Sequence, residues 1–336
     1  MKVLPPKSLF RASRLLASAL FAAFLSYSSV LAQSSDTDLK EKFRRPLMPA
    51  LSRVQQAEVV VGDALFSSRE LSVDRSLSCS SCHQADAVWR DARGRSPDRV
   101  GRLLPRRSPS VLNLAWATSL TWDGRMDSLE QQALDPVLNA RIGGMDPSLI
   151  VERVRNWLAG DSGLLATWRE AYGDALVTTD RISASLAAFE RTLVSPSAPF
   201  DRWIEGDKNA ISAEAQQGFT LFTGRAGCAV CHSGWRLTDD SFHDIGMPDS
   251  DLGRGTLFPG EPTLEHAFKT PTLRGVADLG FYMHDGSLPS LSSVITHYAS
   301  GFSRRASLDP DMHPLELSSQ ERVELIAFMN SLSPAR

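Results

Sequence analysis

Cysteine is scarce in this chain of 336 residues: there are four, and none stands outside two short motifs, Cys79–His83 and Cys228–His232. No spare cysteine remains to complete a four-ligand zinc site. A redox disulfide of the thioredoxin type has no need of the histidine that follows the second cysteine, yet it follows twice. Charge of one sign is also missing. The formal net charge is −3 and arginine and lysine are spread rather than blocked, which argues against a nucleic-acid partner. Beyond the N-terminus no apolar run is long enough to span a membrane, and no alternating strand pattern of useful length is present. Histidine is absent from the whole interval between His83 and His232.

What is there is the pattern Cys-x-x-Cys-His, twice. That spacing attaches c-type haem, with two thioethers to the porphyrin and a histidine on the iron. It predicts two covalently bound haem c groups, held by Cys79, Cys82 and His83 and by Cys228, Cys231 and His232. The N-terminus agrees: Lys2, Lys7, Arg11 and Arg14 precede an apolar stretch from Leu15 to Leu25, then Val30, Leu31 and Ala32. Residues 1–32 read as a secretory signal peptide cleaved after Ala32. The mature protein is expected in the periplasm, without a membrane span. The local run Arg90, Arg93, Arg95, Arg99, Arg102, Arg106 and Arg107 reads as a solvated face or as partners for haem propionates.

The chain repeats itself. Gly62-x-x-Leu65-Phe66 precedes the first motif as Gly218-x-x-Leu221-Phe222 precedes the second. Downstream, Pro109 is followed fourteen residues later by Asp123-Gly124 and then Ser128-Leu129, and Pro271 likewise by Asp285-Gly286 and Ser290-Leu291. Two tandem c-type cytochrome-like helical domains, 45–198 and 199–336, are the economical explanation. Asp180 is placed to cap a helix carrying Ile182, Leu186, Phe189 and Leu193 on one face. That helix ends at a proline-marked linker, Ser195 to Pro199. Ser318-x-x-Glu321 is a capping box for a final helix.

Used as a ruler, the repeat equates Tyr298, seven residues past Leu291, with Pro136, seven past Leu129. Tyrosine ligates haem iron, and proline offers iron nothing. One iron is thus expected to be six-coordinate and the other open, as a catalytic haem paired with an electron-storing haem requires. Met126 and Met145 are the competing ligands for the first iron; Met283, Met312 and His297 compete with Tyr298 for the second. A phenolate is hard and anionic and favours Fe(III) or higher, whereas a thioether favours Fe(II).

These motifs, with Ser-Pro-Ser-Val-Leu-Asn at 108–113, Trp-Asp-Gly-Arg at 122–125, Ala-Phe-Glu-Arg-Thr-Leu at 188–193, Phe-Asp-Arg-Trp at 200–203, Phe-Lys-Thr-Pro-Thr-Leu-Arg at 268–274 and His-Asp-Gly at 284–286, make the chain resemble the bacterial di-haem cytochrome c peroxidase and MauG superfamily. Tyr298 and the missing loop histidine place the resemblance in the MauG- and MbnH-like branch. The resemblance implies an enzyme that uses hydrogen peroxide to oxidise side chains of an exported partner protein, tryptophan in particular, through high-valent iron shared by two haems. It makes Trp122 the inter-haem relay, and Gln132 and Pro136 the distal pocket. A conventional peroxidase, drawing electrons from a small cytochrome or cupredoxin, and a non-enzymatic electron carrier are the alternatives. Ile142 stands where relatives have an acid–base glutamate, leaving Asp135, Asp146 or a water chain as substitutes. Relatives also hold calcium between the haems; Arg107 stands at its side-chain ligand and only the Leu279 and Phe281 carbonyls match, so calcium is doubtful here. Ala226 replaces a surface tryptophan used toward the partner, with Trp235 or Trp203 as replacements.

Overall fold

The computed structural model describes residues 38–334, so the expected signal peptide at 1–32 lies outside the described residues. The fold is mainly α. The first half carries α1 (Arg53–Ser67), α2 (Leu129–Leu138), α3 (Pro147–Ala159), α4 (Ser162–Tyr172) and α5 (Thr179–Thr192). The second carries α6 (Pro199–Ile204), α7 (Ala213–Thr223), α8 (Leu291–Thr296) and α9 (Ser319–Ser331). A short antiparallel pair joins β1 (Phe242–His243) to β2 (Phe268–Lys269).

Side-chain caps set the helix starts. Ser52 accepts the Gln55 amide, Ser128 that of Gln131, Ser212 that of Ala215 and Ser290 that of Ser293. Ser318 and Glu321 form the expected reciprocal box at the start of α9. One expected cap is corrected: Thr178, not Asp180, caps α5, accepting the Arg181 amide. Asp180 sits inside the first turn, where its charge still opposes the helix dipole favourably.

Each half is built on one close helix crossing, and the repeated glycine explains both. A Cβ on Gly62 of α1 would stand 1.9 Å from the Ser185 carbonyl oxygen of α5; one on Gly218 of α7 would stand 2.0 Å from the Glu324 oxygen of α9. Only glycine lets these backbones touch. Around the first crossing Val61, Leu65, Phe66, Ile182 and Leu186 are fully buried. Around the second, Phe219, Phe222, Leu325 and Phe328 are. Each such side chain stabilises the fold by roughly 1.5–3 kcal/mol. Phe43 packs into the second core although it precedes the first half in sequence. Glu190 of α5 is also buried, and its Oε2 has no hydrogen-bond partner among the described residues.

The two halves meet by a matched exchange. The Arg107 amide donates to the His284 carbonyl at 2.7 Å, and the Lys269 amide donates to the Trp122 carbonyl at 2.8 Å. Arg107 and Lys269 are repeat counterparts, as are Trp122 and His284, so the junction approximates a two-fold axis inside one chain. The linker is pinned by Asn113, whose side chain both donates to the Ser195 hydroxyl at 3.1 Å and accepts the Ser195 amide at 3.0 Å.

Candidate functional site

Both Cys-x-x-Cys-His segments fold as single 3-10 turns, Cys79–Ser81 and Cys228–Val230. The His83 amide donates to the Cys79 carbonyl at 3.0 Å and the His232 amide to the Cys228 carbonyl at 2.9 Å. One turn therefore gathers two sulfurs and an imidazole. His83 Nδ1 lies 3.3 Å from the Trp89 carbonyl and His232 Nδ1 lies 2.9 Å from that of Leu237. A carbonyl can only accept, so the proton resides on Nδ1 and Nε2 is left basic, as an iron ligand needs. Burial, the larger effect, pulls both histidines below their ordinary pKa and keeps them neutral. Trp89 and Leu237 both take a left-handed φ, +55° and +54°, a conformation uncommon for side-chain-bearing residues, and it aims their carbonyls the same way in both halves. Phe66 and Phe222 pack beside the two imidazoles, with ring centres 6.3 and 6.5 Å away.

A single cavity of about 900 Å³ runs from His83 to His232, near the upper end of the ~300–1,000 Å³ usual for small-molecule sites. Its wall includes Trp122, Gln132, Pro136, Cys228, Cys231 and Tyr298. Cys79 and Cys82 are not part of that wall; they lie on the turn leading into His83. Pro136 and Tyr298 hold matching positions, each late in a helix that starts on a serine cap, Ser128 or Ser290. Pro136 is inside α2, whereas Tyr298 lies in a π-helical turn, His297–Gly301, that continues α8. Such widened turns recur at functional sites because they re-aim one side chain. Burial above all pushes the Tyr298 hydroxyl well above the usual tyrosine pKa. No hydrogen bond from the described residues reaches that hydroxyl, so it is available to a ligand.

The turn is fixed from outside the cavity. Asp244 accepts two bonds from Arg305, at 2.6 and 2.7 Å, one from the Ser307 hydroxyl at 2.7 Å and one from the Gly246 amide at 2.8 Å. His297 joins this bracing: its Nε2 lies 2.8 Å from the Ile245 carbonyl and its ring is not part of the cavity wall. His297 thus faces the Ile245 carbonyl rather than the cavity that Tyr298 lines. Met283 and Met312 do reach the wall. In the first half, Met145 is buried in the core and Met126 packs beside Leu120, and neither lines the cavity.

Trp122 lies between the two ends, buried, with its Nε1 donating to the Arg107 carbonyl at 2.8 Å. His284, its repeat counterpart, meets it edge-on at 6.4 Å and stacks on Phe268 at 3.7 Å. Sequence reasoning missed His284, although its place opposite Trp122 in the His-Asp-Gly and Trp-Asp-Gly pair signalled it. Arg106 clamps the same region, bonding Asp123 and Asp251 at 2.7 Å each. At the Pro136 end, the Gln132 Oε1 is buried without a partner among the described residues. Asp135 lines the wall and accepts from Arg125 at 2.7 Å. Asp146 is corrected: it caps α3, accepting the Ser148 and Leu149 amides, and is not part of the wall. Trp203 is corrected as a surface residue, because it is buried against Phe200 and Phe219. Trp235 is half-buried, edge-on to Trp116 at 4.8 Å.

The wall fits a carboxylated, iron-bearing macrocycle at both ends. Two imidazoles present bare Nε2 atoms, and buried arginines call for anions. Arg90 is held down to about 9 and Arg107 to about 10, in each case by burial above all. The Arg90 Nη1 has no partner among the described residues; a propionate would satisfy it.

The family model described as di-haem cytochrome c peroxidase matches residues 56–209. The chain is 45% identical over 314 residues to methylamine utilization protein MauG of Methylorubrum extorquens, covering 91% of this chain and 88% of that one. It is 42% identical to the protein of the same name from Methylophilus methylotrophus, over 96% of each. Among solved structures, a MauG-like protein associated with microbial copper homeostasis superposes with a TM-score of 0.77 at 26% identity, covering 87% of this chain and 92% of that chain.

Proposed function

Because the chain belongs to the di-haem cytochrome c peroxidase family, as a MauG-type haem-dependent oxidoreductase with two haems, we propose that it is exported to the periplasm and uses hydrogen peroxide to oxidise side chains of a partner protein, tryptophan in particular. Attachment is through Cys79 and Cys82 and through Cys228 and Cys231, with His83 and His232 on the irons. When bound, the pair of haems supplies reduction of peroxide and accepts two electrons from the partner for each peroxide consumed. The remaining roles fall to side chains. The Trp89 and Leu237 carbonyls hold the Nδ1 protons and orient both imidazoles. Tyr298 would hold the second iron through its oxygen, a hard anionic ligand once the metal displaces the phenol proton. Pro136, at the position matching Tyr298, offers no ligand atom, so a haem held by His83 would be left open there to hydrogen peroxide. The unpartnered Gln132 Oε1 accepts a hydrogen bond from the peroxide O–H. Asp135, held on the wall by Arg125, is the carboxylate that exchanges a proton there, since Ile142 cannot. Trp122 relays the electron between the two ends.

The observation that carries this reading is the pairing of Pro136 with Tyr298 at matching helix positions in one cavity. The test is the resting ferric holoprotein, which should show one high-spin and one low-spin iron. Two low-spin signals would remove the open face. Peroxide added to the isolated ferric protein should then produce an oxidised form that persists, and mass spectrometry of a co-expressed exported partner should find one added oxygen on a tryptophan. Met283 and Met312 on the wall favour a second reading, the conventional peroxidase fed by a small cytochrome or cupredoxin. That reading wins if the protein must be reduced by one electron before it reacts.

A further inference from the structure

The calcium that the resemblance suggests does not fit the residues at the junction of the two halves. A calcium site needs six to eight oxygen ligands that are free to turn toward the ion. Of the two matching carbonyls, Leu279 is already engaged and only Phe281 accepts no bond among the described residues, one oxygen where calcium needs six or more; the neighbouring carbonyls are engaged as well. The Leu279 carbonyl accepts the Tyr282 hydroxyl at 2.9 Å. The Met283 carbonyl accepts Arg107 Nε at 3.1 Å, and the His284 carbonyl accepts the Arg107 amide at 2.7 Å. The Arg107 carbonyl accepts Trp122 Nε1 at 2.8 Å. Arg107 itself, at the position of the expected side-chain ligand, brings a positive charge, not a lone pair.

We propose that the Arg107 guanidinium takes the place of a divalent cation at this junction, bracing the two halves around Trp122 so that the protein keeps its inter-haem geometry without calcium. Three features of Arg107 support this role. It is buried, only 6% exposed. It reaches from the first half to two consecutive carbonyls of the second, so one residue bridges what an ion would bridge. Its guanidinium also lies 5.7 Å from the centre of the Trp122 ring, within cation–π range. Its counterpart Lys269 is engaged elsewhere, paired to the buried Asp240. Arg107 is thus a positioning residue, acting on Trp122 through its own carbonyl and ring contact. A guanidinium tethered by its chain cannot be stripped by a chelator, which an ion can.

The inference rests on the two-haem reading, and haem content read from the Soret band separates failure of that reading from failure of this one. Holoprotein dialysed against EDTA should contain two irons and sub-stoichiometric calcium, with melting temperature, spin states and the two midpoint potentials unchanged. Adding calcium should change none of them. Stoichiometric calcium that survives purification, or a chelator-induced spectral change reversed by calcium, overturns the proposal. Arg107→Met keeps length and removes charge; it should lower the melting temperature by several degrees and change the separation of the two midpoint potentials. Arg107→Lys should recover most of that separation. Wild-type behaviour in Arg107→Met, or no recovery in Arg107→Lys, also overturns it. If Arg107→Met fails to accumulate, the chelation arm and Arg107→Lys still decide.

Discussion

Replacing Glu190 by glutamine should flatten the pH dependence of stability. Glu190 is 4% exposed, lies on α5 at the first helix crossing, and its Oε2 has no partner among the described residues. Burial raises its pKa from 4.5 to about 8, with Arg191 opposing the shift and Glu130 adding to it. The folded state therefore keeps a proton that the unfolded chain releases near 4.5. More protons on the native state means stability falls as pH rises through that window. At ~1.4 kcal/mol per pH unit, the loss is about 3 kcal/mol by pH 7 and at most about 5 kcal/mol by pH 8. Glutamine is neutral in both states, so it removes the titration while retaining the shape. Its amide introduces an unpaired donor worth about 1–3 kcal/mol, but that penalty is the same at every pH. Melting temperatures of both holoproteins from pH 5 to pH 8.5 isolate the effect. Relative to Glu190→Gln, the wild type should lose roughly 5–10 °C between pH 5 and pH 8. A difference curve that stays flat across that range refutes a protonated Glu190.

Tyr298→Phe should retain both haems but convert the second iron's spectrum and abolish partner oxidation; unchanged activity would refute the ligand assignment. Ile142→Glu places a carboxylate on the wall near Pro136, and stopped-flow should find peroxide reacting at least ~10-fold faster, given the ~10²–10⁴ that general acid–base groups supply. Gly218→Ala should lower stability by about 1–3 kcal/mol or more, measured by thermal melting, because its Cβ meets the Glu324 carbonyl at 2.0 Å. Asp244→Ala unties Arg305, Ser307 and Gly246 together; a broadened low-spin signal would report the loosened Tyr298 turn.

Much of this was legible because the repeat carries its own scale. Gly62 and Gly218, Pro136 and Tyr298, and the capping serines at 128 and 290 can be paired by counting, and each pair holds the same place in its half of the molecule. The mainly helical class followed from the helical spacing of Ile182, Leu186, Phe189 and Leu193, the Ser318-x-x-Glu321 box and the lack of an alternating strand pattern. Long-range partners were less accessible. Nothing local says that the His297 ring turns to the Ile245 carbonyl, that Asp146 is consumed by α3, or that Trp203 is buried among phenylalanines. Those outcomes depend on which chain segments meet, and a residue's type does not fix its neighbours. The Asp180 cap failed for a narrower reason: Thr178, two residues earlier, already supplies the capping oxygen from an extended backbone.

The crossed amide bonds at the junction have a further consequence. Because each half grips the other with the same atoms, sliding one past the other breaks both bonds at once, leaving no partial slip at low energy. If Trp122 is the relay proposed above, the gap an electron crosses is set by main-chain geometry.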